Sequence, residues 1–172
     1  MNVQSAVQQQ LGFWHGTLGQ VLSDCSEDAL NKSVPGAKIN SIASIYAHTV
    51  IAEDVIVHAM MQGKPALAQA QGWEAKTGIT FPGVPPMMTD EWARALKMNL
   101  APFQEYAAAV FAASDAYVAG LSDAEMERKV QGPAGETTVG WFVVNILATH
   151  VPQHTGEIAA LKGIYGAKGL PF

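Results

Sequence analysis

Apolar residues recur at steps of three and four positions over four long stretches of the chain, and this spacing constrains the fold more than any other feature. Side chains spaced in this way lie along one face of an α-helix, where they can pack on a common core. The stretches cover residues 3–23, 40–63, 89–121 and 138–165. No part of the sequence shows the strict alternation typical of a β-strand over any length, so we expect an all-α fold.

Residues that begin or stop helices stand at the ends of these stretches. Asn40 or Ser41 can cap the second helix, because a short side-chain oxygen accepts a free backbone N–H there, and Gly63 is typical of a helix end. Thr89 precedes two acidic residues, which favour the first turn of the third helix. Pro102 lies inside the third stretch, so we expect a kink or a break there.

The segment from Gly72 to Met88 is unusually rich in glycine and proline. A proline lacks the backbone N–H that a helix interior needs, so this segment cannot be a regular helix. It is long enough to cross the end or the length of a helix bundle. We therefore expect a four-helix bundle with a long crossover connection between helices two and three. All 172 residues, positions 1–172, would form one domain.

Charge and composition argue against several classes of partner. The chain has 10 Lys and Arg against 15 Asp and Glu, and its cations do not cluster. Nucleic-acid binding needs clustered cations, so we expect no nucleic-acid partner. The first residues lack the pattern of a signal peptide, and no uninterrupted apolar run approaches the roughly 20 residues that span a bilayer. The single cysteine, Cys25, excludes an internal disulfide. We expect a cytoplasmic protein without a membrane partner.

His150 and His154 stand four residues apart on the predicted inner face of the last helix. They are therefore separated by roughly 40° around the axis and about 6 Å along it, so that two imidazoles can hold one metal ion. The alternative is a pair of buried histidines, both of which would need hydrogen-bond partners. The pair is not the His-Glu-x-x-His protease motif, because Val151 occupies the position of the glutamate. Pro152 removes a backbone donor between the two histidines, and we expect a bend there.

His48 lies on an apolar face of the second helix and can complete a three-histidine site. Such a site leaves metal positions open, as catalytic rather than structural sites do. His58 lies about 15 Å further along that helix, so we interpret it as a surface or flank histidine. His15, on the flank of the first helix, is a candidate for lining the same pocket.

Two carboxylates accompany the histidines. Glu157 follows His154 by three residues and shares its face. It can serve as a fourth ligand, as an acceptor for an imidazole N–H, or as a catalytic general base for a metal-bound water or thiol. Glu53 lies about 140° around its helix from His48, which makes it a weaker candidate. The alternative for both is an ordinary hydrogen-bonded or solvated carboxylate.

At these residues the chain resembles the DinB-like (damage-inducible) superfamily, which includes the thiol-dependent S-transferases for bacillithiol and mycothiol. One matching element is the second helix, in which His48 is followed by Glu53. The other is a His-x-x-x-His pair followed by glycine and an acidic residue, here His150, His154, Gly156 and Glu157. Size and helix order extend the resemblance over nearly the whole chain.

The resemblance implies a four-helix bundle that holds a divalent metal ion, commonly zinc or nickel, through His48, His150 and His154. It also implies a homodimer and a reaction in which the metal binds and deprotonates a low-molecular-weight thiol for transfer to an electrophile. The name of the superfamily does not imply DNA binding.

Other functions remain open at the level of the sequence. One alternative is a non-catalytic bundle, either a metal- or ligand-binding stress protein or a dimerising scaffold. Another is a metal-dependent hydrolase or isomerase that uses the same ligands. An enzyme needs an open metal face with a base such as Glu157 close by, whereas a binding protein does not.

Overall fold

The structure is a computed structural model, and it describes residues 2–82, 89–132 and 135–172. These residues are mostly helical, as expected. The helices are α1 (Val3–Leu22), α2 (Glu27–Asn31), α3 (Ile42–Asp54), α4 (Leu67–Ala70), α5 (Trp73–Thr77), α6 (Asp90–Ala95), α7 (Leu100–Ala119), α8 (Asp123–Met126), α9 (Val139–Phe142) and α10 (Ala148–Ile164). Two π-helical segments extend them: Val55–Met61 continues α3, and Val143–Leu147 joins α9 to α10.

The four long helices pack against one another in a ring. Helix α1 packs against α7 and α10, and α3 packs against the same two helices. Their inner faces are filled by large apolar side chains that are almost fully buried, among them Leu11, Leu18, Ile42, Phe103, Tyr106, Ile158 and Leu161. The helix of His48 and the helix of His150 and His154 are therefore direct neighbours.

Side-chain caps begin the helices where the sequence predicts them. Ser41, rather than Asn40, caps α3, since its hydroxyl accepts the backbone N–H of Ser44 at 3.2 Å. Thr89 caps α6, and Thr138 caps α9, by bonds of the same type. Each such bond satisfies one of the backbone donors left free at a helix start.

The third stretch is not one helix with a kink at Pro102. The chain leaves the helix at Leu96 and re-enters it at Leu100, so that α6 and α7 are separate. Asn31 stabilises the non-helical backbone of this break. Its side chain accepts the N–H of Met98 at 2.8 Å and donates to the carbonyl of Met98 at 3.0 Å. Pro102 falls in the first turn of α7, where no N–H is needed.

The expectation of a fold without strands was wrong. Strands β1 (Lys129–Gly132) and β2 (Gly135–Thr138) form an antiparallel hairpin, in which Lys129 pairs with Thr138 and Gly132 with Gly135. Strands of four residues are too short to give a clear alternation. The turn predicted here lies partly at residues 133–134, which are outside the described part of the chain.

The glycine- and proline-rich segment is less irregular at its start than the sequence predicts. Helix α5 occupies five residues there, between Gly72 and Gly78. Both glycines have a positive φ, of 67° and 70°, and so allow the sharp changes of direction at the two ends of α5. Residues 83–88 are outside the described part of the chain.

Among the described residues, Ile42–Met61 is long and apolar enough to cross a membrane by length and composition. However, 89% of its most apolar window is buried inside the protein. It has the character of the central helix of a soluble globular protein.

Candidate metal centre

The structure brings His48, His150 and His154 together. The Nε2 atom of His150 lies 3.1 Å from Nε2 of His48 and 3.1 Å from Nε2 of His154. Each residue offers a ring nitrogen that lies within 4.8 Å of those of the other two. Two neighbouring helices, α3 and α10, thus aim three imidazoles at one point.

The donor set fits a divalent metal ion. Zinc binds imidazole nitrogen at about 2.0–2.1 Å with tetrahedral geometry, which places two such ligand atoms about 3.3 Å apart. The observed 3.1 Å separations are close to that value. Without a cation the cluster is poorly satisfied, since Nε2 of His150 faces two other ring nitrogens and has at most one proton to share. Nitrogen donors of this type suit zinc and nickel.

Glu157 sets the orientation of His154. Nδ1 of His154 donates to the Glu157 carboxylate at 2.6 Å. Because a carboxylate only accepts hydrogen bonds, the proton of neutral His154 is on Nδ1, and the lone pair of Nε2 is directed at the other two histidines. This is the tautomer that a metal ligand needs.

Burial keeps two of the rings neutral. It lowers the pKa of His48 to about 4 and the pKa of His150 to about 3. Charge on His154 contributes to both shifts, and the nearby Glu157 carboxylate partly opposes the shift of His48. Near pH 7 these two imidazoles are therefore unprotonated and available to bind a metal ion.

His48 and His150 lack the support that His154 has. Nδ1 of His48 and Nδ1 of His150 are buried without a hydrogen-bond partner in the described part of the protein. The three rings instead pack edge to face on one another, with centroids 4.9 Å apart for His48 and His150, 4.9 Å for His48 and His154, and 4.5 Å for His150 and His154. Helix α10 runs through Pro152; the predicted bend there stays a prediction.

His58 is not at the surface, and that expectation was wrong. Its side chain is buried and Nδ1 lies 2.9 Å from the carboxylate of Asp54. Side-chain positions beyond Asp54 depart from a count of 100° per residue, because the helix there is a π-helix with wider turns. The hydrogen bond to Asp54 raises the pKa of His58.

Asp54 was missed by reasoning from the sequence. It is fully buried and accepts hydrogen bonds from the Tyr106 hydroxyl at 2.7 Å and from the N–H groups of Leu67 and Ala68 at 2.8 and 2.9 Å. Burial raises its pKa, but these bonds and that of His58 outweigh burial and leave the pKa below its usual value. An acidic residue within an apolar helix was the available signal. Asp54 ties α4 to α3.

His15 and Glu53 pair with each other. Nε2 of His15 lies 3.2 Å from the Glu53 carboxylate, whose side chain is 1% exposed. The His15 ring stacks on Phe111, and its Nδ1 faces Asp115 at 3.6 Å. Neither His15 nor Glu53 belongs to the three-histidine cluster found among the described residues. They join α1 to α3.

Together, fold and site define a mostly helical protein with a candidate metal centre of three histidines. The family model described as the DinB superfamily matches residues 14–158, a range that contains all three. The chain belongs to the DinB superfamily.

Solved structures of other proteins resemble the fold of this chain. One is the crystal structure of the conserved protein of locus from Enterococcus faecalis, with a TM-score of 0.83 and 18% sequence identity. The alignment covers 96% of this chain and 99% of that one. At this identity the likeness shows the fold alone. No curated protein matches the chain.

Proposed function

We propose that this protein is a cytoplasmic member of the DinB superfamily that binds one divalent metal ion, zinc or nickel, through His48, His150 and His154. The observation that carries the proposal is the convergence of three ring nitrogens from two helices at separations close to those of metal ligands. The neutral state of His48 and His150 supports it, because protons do not compete with the metal near pH 7.

We also propose that helices α1, α3, α7 and α10 form a four-helix bundle, in which the segment from α4 to α6 is the long crossover between the second and third helices. The packing of α1 and α3 against the same two helices supports this arrangement. The metal-binding face then lies between two adjacent helices of the bundle.

The reaction that we propose is transfer of a low-molecular-weight thiol to an electrophile. A divalent ion held by His48, His150 and His154 would keep its full charge, because imidazole ligands are neutral, and would lower the pKa of a bound thiol. The side chain of His154 is 19% exposed, so the site is reached from the surface on this side. His48 and His150 are half-buried as well.

Glu157 has two roles in this proposal. Through its bond to Nδ1 it keeps His154 in the tautomer that binds a metal ion. Its side chain is 50% exposed, and we propose that the carboxylate also accepts the proton of an entering thiol, through water, because it lies on the Nδ1 side of the His154 ring and not on the Nε2 side that faces the site. A half-exposed carboxylate can pass the proton to solvent after each turnover.

Metal content tests the binding step. Wild-type protein, purified and then reconstituted with zinc or nickel, is expected to retain about one ion per chain by elemental analysis. His48→Ala, His150→Ala and His154→Ala should each lose it. Gln153→Ala is the matched control, because this exposed residue lies on α10 between the two histidines. Unchanged metal content in all three histidine variants would rule out the site.

Thiol binding separates the enzyme from the non-catalytic alternative. Thermal shifts of metal-loaded wild type with a panel of low-molecular-weight thiols should show stabilisation by at least one thiol, which is lost in metal-free protein. No thiol effect in protein that does hold metal would favour a binding or scaffold role. Light scattering tests the homodimer that we also propose.

A further inference from the structure

Pro152 interrupts the backbone hydrogen bonding of α10 between the two histidines of that helix. In an α-helix each N–H donates to the carbonyl four residues earlier, so the missing N–H of Pro152 leaves the carbonyl of Ala148 without its helical donor. Ala148 is 4% exposed. A buried carbonyl without a partner is costly, and some other group is needed to donate to it.

Gln10 of α1 supplies that donor. Its side-chain Nε2 donates to the carbonyl oxygen of Ala148 at 2.8 Å. Helices α1 and α10 pack side by side, so the amide reaches across the contact between them. The hydrogen bond that the proline removes from α10 is thus replaced from a different helix.

The position of this bond links it to the metal centre. Ala148 is the first residue of α10, directly after the π-helical segment Val143–Leu147, and it precedes His150 by two residues. The turn in which the helix changes from π to α geometry sets the angle at which the following residues leave it. A donor anchored on α1 at this turn is therefore placed to influence the direction in which His150 and His154 face α3.

We propose that Gln10 is a positioning residue for the three-histidine site: its bond to the Ala148 carbonyl compensates Pro152 and aligns His150 and His154 with His48. This inference rests on the proposed metal binding. Gln10 touches no metal ligand and acts only through the backbone of α10.

Two roles of Gln10 can be told apart by changing residue 152. Gln10 either compensates the missing N–H of Pro152 or is only a contact between α1 and α10. In a Pro152→Ala variant, residue 152 regains its N–H and can donate to Ala148 within the helix. Gln10 then becomes dispensable for the geometry of the site. If Gln10 were only a contact between helices, its loss would have the same effect with either residue at position 152.

Cobalt(II) is the probe, because its visible absorption reports ligand geometry as well as affinity. Gln10→Leu should weaken Co²⁺ binding about tenfold, as changes in the support of metal ligands typically do, and should shift the absorption bands. Gln9→Leu, an exposed neighbour on α1, should match wild type. Gln10→Leu combined with Pro152→Ala should bind Co²⁺ within about twofold of Pro152→Ala alone.

The outcomes separate the two proposals. Wild-type affinity and spectrum in Gln10→Leu, or an equal loss in both position-152 backgrounds, overturns the role of Gln10 and leaves metal binding intact. A wild type that binds no Co²⁺ overturns the proposed function and this inference with it. Circular dichroism of the metal-free proteins checks folding, and Gln10→Ala replaces Gln10→Leu if the leucine variant does not fold.

Discussion

Replacing Glu157 measures how much the orientation of His154 contributes to metal binding. In Glu157→Gln the amide oxygen can still accept from Nδ1, but the 2.6 Å bond loses its charge. Hydrogen bonds to charged groups contribute about 1.5–3 kcal/mol and neutral ones about 0.5–1.5 kcal/mol, so the difference is about 1–1.5 kcal/mol. Because the carboxylate is half exposed, solvent screening reduces this to about 1 kcal/mol. Metal affinity should fall about fivefold.

Glu157→Leu removes the acceptor altogether, and the tautomer of His154 is then no longer fixed. The loss should be larger, in the range of about 10- to 100-fold that is typical for groups supporting a metal ligand. Zinc titrations in competition with a chromophoric chelator at pH 7.5 measure both variants. Glu127→Gln is the control for the change in net charge, because Glu127 is exposed. Zinc affinity within twofold of wild type in Glu157→Leu would refute the orienting role.

Three further predictions concern stability. Because burial lowers the pKa of His150 to about 3, the unfolded chain binds more protons than the native one between about pH 6.5 and 3. In thermal melts of the metal-free wild type, stability should therefore decrease as the pH is lowered through this range, and it should decrease less steeply in His150→Ala. Equal slopes in the two proteins would contradict this. His15→Ala leaves the Glu53 carboxylate buried and unpaired and should cost about 2–3 kcal/mol in urea unfolding; a change below about 0.5 kcal/mol would show that the pair contributes little. Asn31→Ala removes both bonds to Met98 and should cost about 1–2 kcal/mol by the same measurement; an unchanged midpoint would mean that the break between α6 and α7 does not need Asn31.

The helices were predictable from the sequence because their signals are local. Apolar spacing and helix-start residues such as Ser41 and Thr89 act within a few positions, and both cap helices in the structure. The break between α6 and α7 was not predictable in its place, because Asn31 holds it from 67 residues away in the sequence. The hairpin formed by β1 and β2 was too short to leave a pattern.

The candidate site also has a part that the sequence predicts and a part that depends on tertiary contacts. The spacing of His150 and His154 follows from helix geometry alone, whereas the choice of His48 needed helix phase and a family resemblance. The partners of the remaining histidines depend on tertiary contacts. His15 meets Glu53 across two helices, and the burial of His58 depends on a π-helical turn that the sequence does not announce.

X-ray absorption spectroscopy of the zinc-loaded protein tests the three-histidine centre most directly. We expect about three nitrogen ligands at about 2.0–2.1 Å, with the outer-shell scattering of imidazole rings. We also expect His150→Ala to remove this imidazole signal or the zinc itself. Zinc bound mainly through oxygen, with no imidazole scattering, or a wild-type spectrum in His150→Ala, would contradict a centre of three histidines.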